Sequence, residues 1–161
     1  MNKVFEIELN ISAEQAWVAV GEKFGETGQW TSLLDSSYLE GQLAPGGYRV
    51  CMQKNKKLTE RITQFDPENM KLEYELIDGR PPIVQSAGNS WSIMSLGSKC
   101  CLVSMRPEIS MKWWAVLLTP LLWLGLNTSL PKVLEEFKHW AETGTVHPRK
   151  KAMAKSKRKF S

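Results

Sequence analysis

Histidine occurs twice and cysteine three times in these 161 residues, and no two cysteines stand in a CxxC spacing. Metal centres and disulfide frameworks draw on denser sets than this. The chain also lacks a glycine-rich phosphate loop and any nucleophile–base spacing of the kind hydrolases use. No cofactor or metal is therefore expected. Cys100 and Cys101 are adjacent, and neighbouring side chains on a strand point to opposite faces, so no bridge between them is expected. With Cys51 they read as reduced thiols of a cytosolic protein. The opening MNKVFEIELN lacks an apolar signal core, and the expected location is cytoplasmic, at most peripheral to a membrane.

Acid is missing where base is densest. Residues 146–161 hold Arg149, Lys150, Lys151, Lys155, Lys157, Arg158 and Lys159 and no Asp or Glu. Without these seven the chain has 14 basic against 17 acidic residues, so the formal charge of +4 belongs to the tail. A basic nucleic-acid-binding face on the body is not indicated, and no specific nucleic acid partner is expected. The composition assigns 1–144 to one folded domain and 145–161 to a disordered basic tail.

What is present is alternation. Phe5, Ile7, Leu9 and Ile11 alternate with polar residues, predicting a strand with one buried face. Ser12 and Gln15 form a capping box ahead of Ala13, Ala16, Trp17, Val20 and Phe24 at helical spacing. Trp30, Leu33 and Leu34 predict a second brief helical segment. Six strand-like runs follow: Tyr38–Gln42, Gly47–Gln53, Leu58–Phe65, Met70–Ile77, Val84–Met94 and Lys99–Met111, separated by turn residues such as Asp66-Pro67-Glu68-Asn69 and Asp78-Gly79. Val133, Leu134, Phe137, Trp140 and Ala141 lie along one face of a closing helix that Gly144 ends. Short turns make an antiparallel meander the simplest topology. A curved sheet of that kind needs its concave face covered, and incomplete contact with the helix leaves a ligand cavity.

The order of these motifs resembles the START-like, or helix-grip (SRPBCC), superfamily, and within it the polyketide cyclase/dehydrase and lipid-transport branch. The likeness rests on Ser12-Ala13-Glu14-Gln15-Ala16-Trp17 after the first strand, Leu58-Thr59-Glu60-Arg61-Ile62, and the Phe65-Asp66-Pro67-Glu68 turn. Tyr74-Glu75-Leu76, Asn89-Ser90-Trp91-Ser92-Ile93 and the Phe137–Gly144 helix end continue it across residues 3 to 144. The resemblance implies an α+β helix-grip fold: a curved antiparallel sheet of about seven strands, two short helices, and a long C-terminal helix over a cavity. It also implies a hydrophobic or amphipathic small-molecule ligand. Plant hormone receptors of this fold carry a similar Glu-Arg pair, whose Glu lines the pocket. That carries over to Glu60 alone, because their gating-loop motifs do not occur here.

Parity supplies the candidate site. Glu60 shares a strand face with Leu58, Ile62 and Gln64, and an inward carboxylate among aliphatics must be answered by a cation or by donors. Extending the alternation turns Tyr48, Val50 and Met52 inward, then Leu72, Tyr74 and Leu76, then Asn89, Trp91 and Ile93, then Cys101, Val103 and Met105. Arg106 is a cation that alternation places outward. The expected ligand-contact set is Glu60, Tyr74, Asn89, Trp91, Trp30, Leu33, Val50 and Ile62. Glu60 has three roles open to it: a structural or rim hydrogen bond, ligand contact, and acid/base work shared with Tyr74 if the protein is an enzyme. As a ligand contact, Glu60→Ala is expected to leave folding nearly intact. His139 falls off the apolar stripe and His147 lies in the tail, so neither serves as an interior base.

The run Trp113–Leu126, WWAVLLTPLLWLGL, is shorter than the roughly 20 apolar residues a spanning helix needs. It reads as the approach and front of the terminal helix, with Pro120 starting or kinking it. Its tryptophans suit a bilayer interface, and the basic tail suits an anionic membrane surface or other polyanion. Three functions are thus carried forward: a binding or transfer protein for a hydrophobic small molecule, a cyclase/dehydrase-type enzyme using the same cavity, and a membrane- or polyanion-associating protein.

Overall fold

Seven strands form one antiparallel sheet in the order β1-β7-β6-β5-β4-β3-β2 in the computed structural model, which describes residues 3–158. The strands are β1 (Phe5–Leu9), β2 (Ser36–Glu40), β3 (Tyr48–Gln53), β4 (Lys56–Asp66), β5 (Lys71–Asp78), β6 (Val84–Gly97) and β7 (Cys100–Met111). From β2 to β7 the chain is the expected meander. β1 then pairs with β7, setting Phe5 opposite Met105 and Leu9 opposite Cys101.

The link from β1 to β2 is helical. Ser12 accepts from the Gln15 amide at 3.2 Å and Gln15 answers the Ser12 amide, starting α1 (Ala13–Trp17). A π-helical turn, a 3-10 turn and α2 (Thr27–Trp30) follow. Gly28 is where α2 meets β2: a Cβ there would stand 2.4 Å from the Ser37 nitrogen. The second helical segment ends at Trp30 rather than reaching Leu34, because Thr31 and Ser32 leave the helix to meet a carboxylate on the terminal helix. That carboxylate is Glu136, fully buried, which accepts from the Ser32 amide at 2.7 Å and the Ser32 hydroxyl at 2.6 Å.

After β7, a 3-10 stretch (Trp113–Leu118) leads into α3 (Thr119–Thr143), with Pro120 in its first turn. Gly144, at φ 67°, closes α3 and donates its amide to the Trp140 carbonyl at 2.8 Å. Val133, Leu134 and Phe137 press into the concave face against Trp30 and Trp91.

Three expectations are corrected here. On β3 the inward residues are Arg49 and Cys51, not Tyr48, Val50 and Met52: Arg49 stands opposite Glu60 and Cys51 opposite Leu58. The register comes from a two-residue loop, Lys54-Asn55, with positive φ at both positions, the turn that matches strand twist in a tight hairpin. On β4, an irregularity between Ile62 and Gln64 reverses the alternation. Phe65 therefore faces in, its ring 5.5 Å from that of Trp17, in place of Gln64.

The tail is the third correction. Pro148–Arg158 form a helix, α4; residues 159–161 lie outside the described residues. Arg149 pairs with Glu135 at 2.8 Å and with buried Glu136 at 3.0 Å, while buried Lys150 donates to the Leu34 carbonyl. Composition predicted disorder because it counts apolar residues. These two cations instead find their partners on the body.

Candidate functional site

Burying an arginine is unfavourable unless every face of its guanidinium is answered, and the register of β3 on β4 supplies the first answer. Arg49 donates through Nε to Glu60 Oε2 at 2.6 Å, and Nη2 lies 2.6 Å from the same oxygen. Nη1 donates to Thr27 Oγ1 at 2.8 Å and to the Phe24 carbonyl at 3.4 Å. The guanidinium also lies over two rings, 3.8 Å from the centroid of Phe24 and 4.7 Å from that of Tyr74, a stabilising cation–π geometry. Burial opposes the Arg49 charge, yet the Glu60 carboxylate overrides it and holds the guanidinium above its ordinary pKa. Burial likewise pushes the neighbouring Cys51 thiol up to about 12, although Arg49 pulls it back.

This ion pair forms one wall of a cavity of about 130 Å³ between the sheet and α3. Trp91 and Met105 line its sheet side, Leu130 and Val133 its helix side, and Thr31, Leu33 and Leu34 the loop side. Beside the ion pair, on the far end of the Tyr74 ring that Arg49 covers, lies a second polar group. Asn89 Nδ2 donates to the Tyr74 hydroxyl at 3.0 Å, and Trp91 Nε1 approaches the same oxygen at 3.5 Å. Two buried polar atoms of cavity-lining residues, Asn89 Oδ1 and Trp30 Nε1, have no partner among the described residues. Native interiors rarely leave such atoms unpaired without reason.

Six of the eight residues expected at the site line this cavity: Glu60, Tyr74, Asn89, Trp91, Trp30 and Leu33. Val50 does not, because its register partners Tyr38 and Thr59 lie on the face away from Glu60. Ile62 faces inward but is sealed in the core, 1% exposed and opposite Tyr74. Arg106 is exposed, as alternation placed it, beside a polar surface depression with Lys71 and Glu73. The cation that answers Glu60 is Arg49, which the apolar look of Tyr48, Val50 and Met52 disguised. Placing the hairpin turn at Lys54-Asn55 and counting outward would have found it. His139 and His147 contact each other, rings 5.2 Å apart, outside the cavity. Among the described residues no group of three or more His, Cys, Asp or Glu side chains could hold a metal ion.

The arrangement can hold a compact molecule whose apolar part meets Trp91, Met105 and Val133. Its polar part would meet the side chains of Tyr74, Asn89 and Trp30, which line the cavity. A carboxylate sits nearby with one oxygen, Glu60 Oε1, to which no described residue donates.

Comparisons with known proteins agree on architecture. A family model described as polyketide cyclase/dehydrase and lipid transport matches residues 4–136. The ZhuI aromatase/cyclase of Streptomyces sp. R1128 superposes with a TM-score of 0.71 at 11% identity, covering 91% of this chain and 99% of that one. The protein XoxI of Bacillus cereus gives 0.69 at 18% identity, over 91% and 99%. Truncated norcoclaurine synthase of Thalictrum flavum gives 0.67 at 15% identity, over 89% and 95%. At these identities the likeness is one of fold. No curated protein matches the chain.

Proposed function

The chain belongs to the polyketide cyclase/dehydrase and lipid-transport family, and from that premise we propose that it binds a small amphipathic molecule in the cavity beneath α3. The observation that carries this reading is the pairing of apolar walls with two unpartnered polar atoms, Asn89 Oδ1 and Trp30 Nε1. A ligand hydroxyl would satisfy the first as donor and a ligand oxygen the second as acceptor. Size narrows the class further. The cavity holds about 130 Å³, under half of the roughly 300 Å³ at which drug-sized pockets begin. A single polar ring or the head of a longer chain fits; a whole lipid needs the Thr31–Leu34 loop or α3 to move. Three free cysteines suit the reducing cytosol this reading assumes.

Native mass spectrometry of the purified protein tests it. A co-purifying adduct that is lost in Asn89→Leu, with the fold retained by circular dichroism, is the expected result. A bare mass, and no uptake of phenolic or fatty-acid probes at millimolar concentration, would reject it.

A second reading, turnover of a polyketide-like substrate in the same cavity, is favoured by the open Glu60 Oε1 and the Tyr74 hydroxyl. Both are of the type that serves general acid/base chemistry. Turnover that disappears in Glu60→Gln while binding persists would establish it. The polyanion reading of the tail has less behind it, since Arg149 and Lys150 already have partners on the body.

A further inference from the structure

Nothing in the cavity explains the exposed surface of the 3-10 stretch and the front of α3. Leu117 is 88% exposed, Trp113 87%, Leu121 67% and Leu124 62%, and Trp114 joins them. In the opposite sense, Ala115 and Trp123 of the same stretch are buried. A helix apolar all round is ordinarily buried in a core or a membrane. This one is packed on one side and bare on the other, leaving contiguous side chains of the kind that mark interaction sites.

We propose that the outward face running from Trp113 to Leu124 seats the protein on a lipid bilayer carrying anionic headgroups. Charge selects this occupant over a second copy of the chain. No Asp or Glu occurs between Glu108 and Glu135, while Lys112 and Lys132 flank the face. In a two-fold pairing the same patch meets itself, so those lysines would find no acid there; anionic headgroups supply one. Trp113 and Trp114 stand at one end of the face, the position tryptophan takes at a membrane interface.

The face lies on the bilayer and does not cross it. Trp113–Thr143 is long and apolar enough to span by length and composition. Spanning, however, would pull Ala115 and Trp123 from their packing and tear Val133, Leu134 and Phe137 out of the core. A helix held on one side and apolar on the other docks in the interface plane. This inference goes beyond the cavity reading and stands without it.

Sedimentation with vesicles of phosphatidylcholine alone, and with a third of the lipid replaced by phosphatidylglycerol, tests it on the full chain. The wild type should pellet with the anionic vesicles and far less with the neutral ones. Leu117→Glu with Leu121→Glu should cut the partition at least tenfold with an unchanged melting temperature, since both side chains point to solvent. Lys112→Ala and Lys132→Ala should each weaken anionic binding roughly fivefold. A wild type left in both supernatants would overturn the proposal. So would a soluble dimer that the glutamate variant disperses without any vesicle binding, or anionic binding that survives that variant.

Discussion

Arg49 and Glu60 face each other directly across β3 and β4, both carried inward by the two-residue loop at Lys54-Asn55. Their contact turns a costly arginine burial into one wall of the cavity, and it makes Glu60 structural as well as available to a ligand. Glu60→Ala strands a buried guanidinium, so the near-neutral effect that parity alone suggested gives way to a loss of about 3 kcal/mol. Urea unfolding of Glu60→Ala, Arg49→Met and the double variant checks this. The double variant should recover most of the loss; two single losses that simply add would show that the pair is not coupled.

Tyr74 accepts from Asn89 and is approached by Trp91. Tyr74→Phe leaves the Asn89 amide without its acceptor, at about 1–2 kcal/mol. If the polar group also grips the ligand, probe affinity should fall more than stability does. Calorimetric titration beside a thermal melt reads both. A stability loss with unaltered affinity would remove Tyr74 from the ligand's contacts.

Cys51, raised by burial to about 12, should resist alkylation of the native protein at pH 8, while half-buried Cys100 reacts. Peptide mapping after iodoacetamide distinguishes the three thiols. The unfolded thiol titrates near 8.5 and the folded one higher, so its stabilisation is complete below that pH. It is lost as the pH rises through the folded value. The Cys51→Ala variant should therefore show a flatter decline in melting temperature across that alkaline window than the wild type.

Glu136 ties the Thr31–Ser32 loop, α3 and α4 together through four hydrogen bonds. Removing residues 146–161 should lower the melting temperature by several degrees, where a disordered appendage would leave it unchanged. Glu136→Ala, which opens the same junction from the inside and takes away the acceptor of the Thr31 and Ser32 donors while Arg149 keeps Glu135, should destabilise by about 1–3 kcal/mol. Hydrogen exchange at the Ser32 amide reports the junction directly. Undiminished protection there in the truncated chain would mean that α4 is not part of the latch.

The β2–β7 meander and the closing helix were legible because alternation, turn residues and the Ser12–Gln15 and Gly144 caps are local signals; the pairing of β1 with β7 joins distant parts of the chain and was not. So was the inward sense of Glu60, Tyr74, Asn89 and Trp91, each fixed by period-two parity on its own strand. Parity failed where a strand's face is decided by its neighbour. Val50 looked inward within Tyr48–Met52, yet register with β4 gave that place to Arg49. Gln64 lost its place to Phe65 through a bulge.

The chain's own order of residues determined a meander with one apolar face and a helix to cover it, because each element carries its periodicity within itself. Tertiary structure alone decided the partner of Glu60, the burial of Glu136 and the docking of Arg149 and Lys150. Those depend on groups brought together from distant parts of the chain, and whether a buried charge is tolerable is settled only by what stands opposite it.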